Sequence, residues 1–327
     1  MTIKILNALI AIIGGIGGAM LLFWILNRLA ESLKGRWEDR VKPWIFAGPA
    51  ILAIGVYLIY PAIVTVQYSF ANKQSTAYVG FQNYIDLFKD NSFLQALFNN
   101  VLWILIVPIV TVIAGLLVAI LTDRLRPRGE KLTKTLIFLP MAISMVGAAT
   151  IWNTIFSFQP KGSPQTGVAN AVGGLFGADP VSWYQTDTLH LNSLLLMVIL
   201  IWTGVGYSMV LLSSAIKAVP EDTVEAGRID GAGERRIFTS IIVPQIWGTM
   251  VTVFITTLIG VMKVFDIVYV RTNGGFNTDV IGRRFFNELF TFRNNGYASA
   301  IVVILIIAVI PVLIYQVRNF RAQEAAR

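Results

Sequence analysis

Catalysis needs nucleophiles, bases or metal ligands within reach of one another, and this 327-residue chain offers few of them. It has no cysteine and a single histidine, His190. Disulfides, thiol nucleophiles and cysteine-held zinc are therefore ruled out. As a base, His190 would need an orienting partner, and the sequence supplies none, so it reads as a solvated or interfacial side chain. No Gly-x-x-x-x-Gly-Lys-Ser/Thr phosphate loop occurs, and Gly129-Glu-Lys-Leu is no substitute. What remains is recognition. Trp202, Thr203, Gly204, Tyr207 and Ser208 combine aromatic faces with hydroxyls, and Thr203 and Tyr207 share a helical face at i, i+4. Thr249, Thr252, Thr256 and Gly260 form a second stripe, with Thr257 beside it. The same small and hydroxyl residues also let helices pack closely, and composition alone does not separate the two roles.

These residues must be positioned by a chain that is 55% hydrophobic and 13% charged, with a mean hydropathy of +0.68. A soluble domain carries about 25% charged residues. The apolar residues cluster in seven runs, at Ile3–Leu26, Trp44–Gln67, Asn100–Leu121, Thr135–Ile155, Leu191–Ser214, Ile246–Val268 and Tyr297–Val317. Each approaches the roughly 20 residues that cross a bilayer as a helix. Unbroken runs such as Ala298–Leu313 exclude a barrel of alternating strands. In lipid only a helix satisfies their backbone internally. The expected fold is all-α, a polytopic transmembrane bundle of seven spans.

A net charge of +8 could suggest nucleic acid, but the basic residues follow the positive-inside pattern instead. Seventeen lie in one alternate set of connections: Arg28, Lys34, Arg36, Arg40 and Lys42, then Arg124, Arg126, Arg128, Lys131 and Lys134. Lys217, Arg228, Arg235 and Arg236 follow, and then Arg318, Arg321 and Arg327. Eight lie opposite: Lys4, Lys73, Lys89, Lys161, Arg271, Arg283, Arg284 and Arg293. The N-terminus is expected outside and the C-terminus in the cytoplasm. The first span is too long for a cleaved signal and reads as an anchor, with Gly14 and Gly18 as a GxxxG pair.

Four connections are long enough to matter. In the outer stretch Val79–Asp90, Phe81, Tyr84, Ile85 and Phe88 share a face, which predicts an interfacial helix. Phe156–His190 is rich in Gly, Pro and Asn and carries Trp183 and Tyr184 as a membrane-interface aromatic belt would. Tyr269–Gly296 holds four arginines. Lys263 and Asp266, the one close pair of opposite charges in a span, fall near the outer headgroups and read as a local i, i+3 pair. On the cytoplasmic side, Pro220 followed by Glu221 and Asp222 starts a helix that Gly231 and Gly233 stop. A helix of about three turns joined to a span at each end can transmit a push, or simply lie solvated.

That last segment resembles the EAA loop of permease subunits of type I ABC importers. Their pattern is Glu-Ala-Ala, three residues, Gly, nine residues, then Ile-x-Leu-Pro. Here Glu225-Ala226-Gly227 is followed by Gly231 and, after nine residues, by Ile241-Ile242-Val243-Pro244. Gly227 and Val243 depart from the pattern, and Gly227 lowers local helix stability by about 1 kcal/mol relative to Ala. Gly80, Asn83, Tyr84, Phe93, Ala96, Leu97 and Asn100 are similar to a segment of the sugar family, as are Leu139-Pro140 with Trp152 and the Lys263–Gly275 stretch. The resemblance is greatest to the first, MalF-like subunit, with Thr278–Phe292 similar to α-glucoside transporters. It covers Trp44 to the C-terminus. This divides the chain into an anchor with its basic loop over 1–43 and a six-helix permease core over 44–327, with the EAA loop at 217–244.

The resemblance implies a heterodimer with a second homologous permease, two copies of an ATP-binding subunit and an extracytoplasmic sugar-binding protein, in a bacterial or archaeal cytoplasmic membrane. It implies no cofactor in this chain, ATP and magnesium being bound by the ATPase. Glu225 would pair with a basic residue of that subunit, Ala226 and Gly231 would permit close approach, and Pro244 closes the motif. Arg228 and Asp230 could pair on the helix surface instead, where exposed pairs contribute about 0–1 kcal/mol. Sugar contact is implied for Trp202, Gly204, Tyr207, Thr256, Thr257 and Gly260. An ion-coupled transporter would need intramembrane carboxylates, and the spans offer only Asp266. A membrane enzyme would need a nucleophile and base that the sequence does not show.

Overall fold

The computed structural model describes residues 2–32 and 36–325. The basic residues Lys34 and Arg327 lie outside them. Helices dominate the described residues, with one isolated bridge between Ala71 and Tyr78. The chain divides into two compact units, between Gln67 and Tyr68.

The first unit contains α1 (Thr2–Ser32), α2 (Arg36–Ile54) and the start of α3 (Tyr60–Tyr68). A π-helical turn, Gly55–Ile59, joins α2 to α3. It precedes Pro61, whose ring and missing N–H disturb the ladder of the preceding turn. A Cβ added at Gly14 or Gly18 would meet nothing within 4 Å. The GxxxG face is thus open in this chain.

The second unit continues with α4 (Gln82–Lys89), α5 (Asn91–Asp123), α6 (Pro127–Phe138), α7 (Met145–Phe156), α8 (Val168–Leu175), α9 (Leu191–Lys217) and α10 (Glu221–Ile229). Then come α11 (Glu234–Ile237), α12 (Val243–Met262), α13 (Asp266–Arg271), α14 (Ile281–Phe286) and α15 (Asn295–Ala325). Among the described residues six helical runs are long and apolar enough to cross a membrane, and α6 with α7 makes a seventh as a bent pair. The span expected at Thr135–Ile155 is therefore a broken one. A short 3-10 turn at Leu139–Ala142 separates α6 from α7, and the two halves bend by 108°. Pro140 explains the break, since it cannot donate to the preceding turn and its ring crowds that carbonyl. Ser144 then caps the new start, its Oγ accepting from the Gly147 N–H at 3.1 Å.

The interior forms where α5, α7, α9 and the 261–280 segment meet, around the fully buried Trp103, Leu196, Met197 and Ile199. Small residues set the distances. At Gly115 an added Cβ would lie 2.2 Å from Ser208 Oγ, and at Gly206 it would lie 2.5 Å from the Ile137 carbonyl oxygen. The second collision is with backbone, so α9 and the end of α6 can cross there only through glycine. Toward one end, Val112, Ala119, Met209, Leu212 and Val253 form another apolar cluster. Toward the other, Leu87, Phe93, Ile281, Ala300 and Ile301 form a third, bringing α4 against α5, α14 and α15. On α4 the burial falls on Asn83 and Leu87. Of the face predicted for the interface, Phe81, Ile85 and Phe88 are exposed, while Tyr84 is half-buried against the third cluster.

Candidate functional site

Two features concentrate the residues singled out by sequence: a central cleft and α10. The cleft has a volume of about 540 Å³ and lies between the α6–α7 bend, α9 and the end of α12. Gly204 and Tyr207 of α9 face Thr256, Thr257 and Gly260 of α12 across it. Met141 and Met145, from the two sides of the bend, close one wall. The bend is therefore what opens the space. Most of the lining is apolar, and the polar atoms are few. Thr256 Oγ1 donates to the Thr252 carbonyl at 2.8 Å and Thr257 Oγ1 to Val253 at 2.9 Å. Their lone pairs remain available as acceptors.

Trp202, like Ser208, Thr249 and Thr252, does not line the cleft. It is half-buried and packs edge-on against Trp152, with ring centroids 5.9 Å apart, at the border of the main apolar cluster. Gly204 has a structural duty as well, since a Cβ there would lie 3.3 Å from Thr111 Cγ2 of α5. Lys263 and Asp266 were expected to form a local pair, and among the described residues they form no ion pair with each other. Both line the cleft instead. The reason is that α12 ends at Met262, and 263–265 are irregular before α13 starts, which removes the helical i, i+3 register.

α10 begins at Glu221, directly after Pro220, and is exposed along most of its length. Its end is a Schellman motif. The Ala232 N–H donates to the Gly227 carbonyl and the Gly231 N–H to the Arg228 carbonyl, both at 3.0 Å, with Gly231 at φ +80°. Gly227 has a clear local cause: a Cβ there would come within 2.7 Å of Ile241 Cδ1 and 3.6 Å of Ile237 Cγ1. The departure from Glu-Ala-Ala thus lets α10 settle on the chain that leads into α12. Gly231, by contrast, has nothing within 4 Å of an added Cβ and is constrained by its backbone angle alone. Arg228 pairs with Glu234, Nε to Oε1 at 3.0 Å, and not with Asp230 as the sequence suggested. That hydrogen bond raises the guanidinium pKa further above its usual value. Glu225 and Ala226 are exposed, as are Asp230 and Pro244. Pro244 follows a π-helical turn at Phe238–Ile242, the same relation that Pro61 has to its own π turn.

The opposite end of the second unit is held by polar groups that the sequence reading passed over. Asn99 Nδ2 donates to the carbonyls of Asn277 and Asp279, at 2.7 and 2.8 Å. Asn100 Oδ1 accepts from the Ile281 N–H at 2.7 Å, and Asn192 Nδ2 donates to the Phe276 carbonyl at 2.6 Å. The buried Arg283 bridges Asp279 with both nitrogens, at 2.5 and 2.7 Å. Arg284 pairs with Asp90, which caps α5. The available signal was a set of amides at the ends of otherwise apolar spans. His190 lies here too, its Nδ1 3.9 Å from Asp187 and its ring 5.6 Å from Phe98.

The family model for the binding-protein-dependent transport system inner membrane component matches residues 111–322, a stretch that takes in both the cleft and α10. The chain belongs to that family. This permease is 39% identical, over 97% of both chains, to the alpha-glucoside transport system permease protein AglF of Rhizobium meliloti (strain 1021). It is 42% identical to the osmoprotective compounds uptake permease protein GgtC of Synechocystis sp. (strain ATCC 27184 / PCC 6803 / Kazusa), over 86% of this chain and all of that one. It shares its fold with a chain of a bacterial alginate ABC transporter solved in complex with an alginate pentasaccharide-bound periplasmic protein, with a TM-score of 0.74 at 22% identity, over 86% of this chain and 96% of that one. The permease is thus a multi-pass inner-membrane transport subunit and not an enzyme.

Proposed function

We propose that this permease forms half of the path of an ATP-driven importer of sugars of the α-glucoside kind, and that α10 couples it to the ATPase. The observation that carries the reading is the pairing of two features in one unit. A cleft is walled by Tyr207, Thr256 and Thr257. An exposed helix with the Glu225…Gly231…Pro244 spacing follows on from α9, which supplies one of the cleft's walls. The relative in Rhizobium meliloti supports the substrate class by its name. The partners are a second permease, two ATP-binding subunits that hold ATP and magnesium, and a binding protein that delivers the sugar from outside. In this reading Glu225 pairs with a cation of the ATPase, while Ala226 and Gly231 admit it closely. Closure of the ATPase pair moves α10, and the bundle alternates between outward and inward openings.

The positive-inside pattern supports a cytoplasmic α10, with the N-terminus outside and the C-terminus inside. The absence of native cysteine makes this simple to test. Lys161→Cys should label from outside in intact cells and Glu234→Cys only after permeabilisation. For the substrate, the binding protein encoded with this permease is purified with its ligand, which is identified by mass spectrometry. An α-linked glucoside is the expected result, and a ligand without a sugar ring overturns the substrate assignment.

A further inference from the structure

A second pocket, of about 280 Å³, lies at the end of the second unit away from α10. It is lined by Asn153 and Phe156 at the end of α7, by Trp183, Tyr184 and Gln185 in the loop before α9, and by Arg271 at the end of α13. The loop is built around one side chain. Asn170, buried on α8, accepts from the Trp183 Nε1–H and the Val181 N–H, both at 3.0 Å. Its own amide donates to the carbonyls of Val181 at 2.9 Å and Ser157 at 3.2 Å. The aromatic rings are consequently fixed, and Tyr184 meets Phe156 edge-on with centroids 5.9 Å apart.

The polar groups of the pocket are left waiting. Arg271 stacks its guanidinium 5.0 Å from the centre of the Tyr184 ring, yet its buried Nε has no hydrogen-bond partner among the described residues. The half-buried Asn153 amide likewise bonds to no described residue, whereas Gln185 is exposed. A buried donor without an acceptor is costly, which calls for a ligand that brings one. Burial pushes the Tyr184 hydroxyl up to about 12, and its proton goes to the Trp152 carbonyl at 3.5 Å. Fixed aromatic walls, one unbonded amide and one cation suit a neutral ring with adjacent hydroxyls.

Position adds a second argument. Asp266 lines the central cleft and Arg271 the outer pocket, at the two ends of the single helix α13. Five residues of helix separate them by about 7.5 Å along the axis. We propose that this outer pocket is a second carbohydrate subsite, which holds one ring of an oligosaccharide while another ring of the same chain occupies the central cleft.

The proposal rests on the sugar-import reading, and the test keeps the two apart. The complete transporter, reconstituted with its ATPase and binding protein, is assayed for uptake of maltose and of maltotetraose. In Arg271→Ala and Asn153→Ala, the KM for maltotetraose should rise about tenfold, the equivalent of losing one hydrogen bond to a charged group. The KM for maltose should stay within twofold. Trp183→Phe, which keeps the ring but not the bond to Asn170, should give an intermediate rise for maltotetraose only. Equal rises for both sugars would show a structural role and overturn the subsite, as would no rise for either. If the unaltered transporter takes up maltose but not maltotetraose, no chain spans the two pockets, and the subsite is overturned while the sugar-import reading stands. If it takes up neither these nor any other α-linked glucoside, that reading fails and the subsite with it.

Discussion

The two ends of α9 are built on opposite principles. At its start, the buried amides Asn99, Asn100 and Asn192 knit the 266–284 segment to α5 and α9, and the buried Asp279–Arg283 ion pair braces that segment from within. Past its end, α10 is exposed, closed by a Schellman turn, and secured mainly by the fit of Gly227 on Ile237 and Ile241 and the exposed Arg228–Glu234 pair. The amides Asn99, Asn100 and Asn192 at the first end bond within the chain. The carboxylates Glu225 and Asp230 at the second are exposed. One end is thus fixed by its own side chains and the other is open to solvent.

The comparison can be broken by experiment, and the effects on stability should descend in order. Asp279→Ala leaves Arg283 buried and unpaired and should cost about 3–5 kcal/mol, read as a lower melting temperature in detergent. Replacing the pair together, with Asp279→Leu and Arg283→Met, should recover most of that loss, because an apolar substitute needs no desolvation to be offset. If the single change is harmless, the 266–284 segment is not the fixed end. Gly231→Ala should cost about 1 kcal/mol through its left-handed backbone alone, since no neighbour meets the added methyl. A loss several times larger would mean that α10 is more firmly held than its exposure suggests.

Asp90 provides a pH test at the fixed end. Burial opposes its ionisation, but hydrogen bonds from Ser92 and the Arg284 charge outweigh it and lower the pKa. Stability from this group is therefore complete above its unfolded pKa of about 3.9 and is lost as pH falls through the lower folded value. Asp90→Asn keeps a capping side chain and should flatten that acid limb of the melting curve. Smallest on stability is Glu225→Lys, within about 0.5 kcal/mol because the residue is exposed. Uptake and copurification of the ATPase should nevertheless be lost. Unchanged uptake with the ATPase still bound would remove Glu225 from the coupling role.

Much of this was legible in the chain of letters, for reasons that differ by residue. The long apolar runs could satisfy their backbone in lipid only as helices, so α1, α5, α9 and α15 fall where composition put them. Pro220 and Gly231 bracket α10 because one fixes the angle at a helix start and the other tolerates the left-handed turn at its end. The bend after α6 was less legible. Pro140 is visible in sequence, but prolines also sit within intact helices here, as Pro108 and Pro311 do. The cleft wall at Met141 and Met145 was therefore missed. Trp202 illustrates the reverse case, a residue suited to sugar by type that packs on the border of the main apolar cluster and away from the cleft.

What the sequence determined by itself was local or one-dimensional: the helical class, the span positions, the absence of a phosphate loop and of thiols, and the spacing of the α10 motif. These depend on residues within a turn or two of each other, or on composition summed over a span. Only the tertiary structure decided which polar residues meet. Asn99 finds Asp279 across 180 positions, and Tyr207 finds Gly260 only because Gly206 lets α9 and the bent α6 come together. Hydrogen bonds and clefts form between residues that are near in space, and nearness across the chain is set by packing that no local pattern encodes.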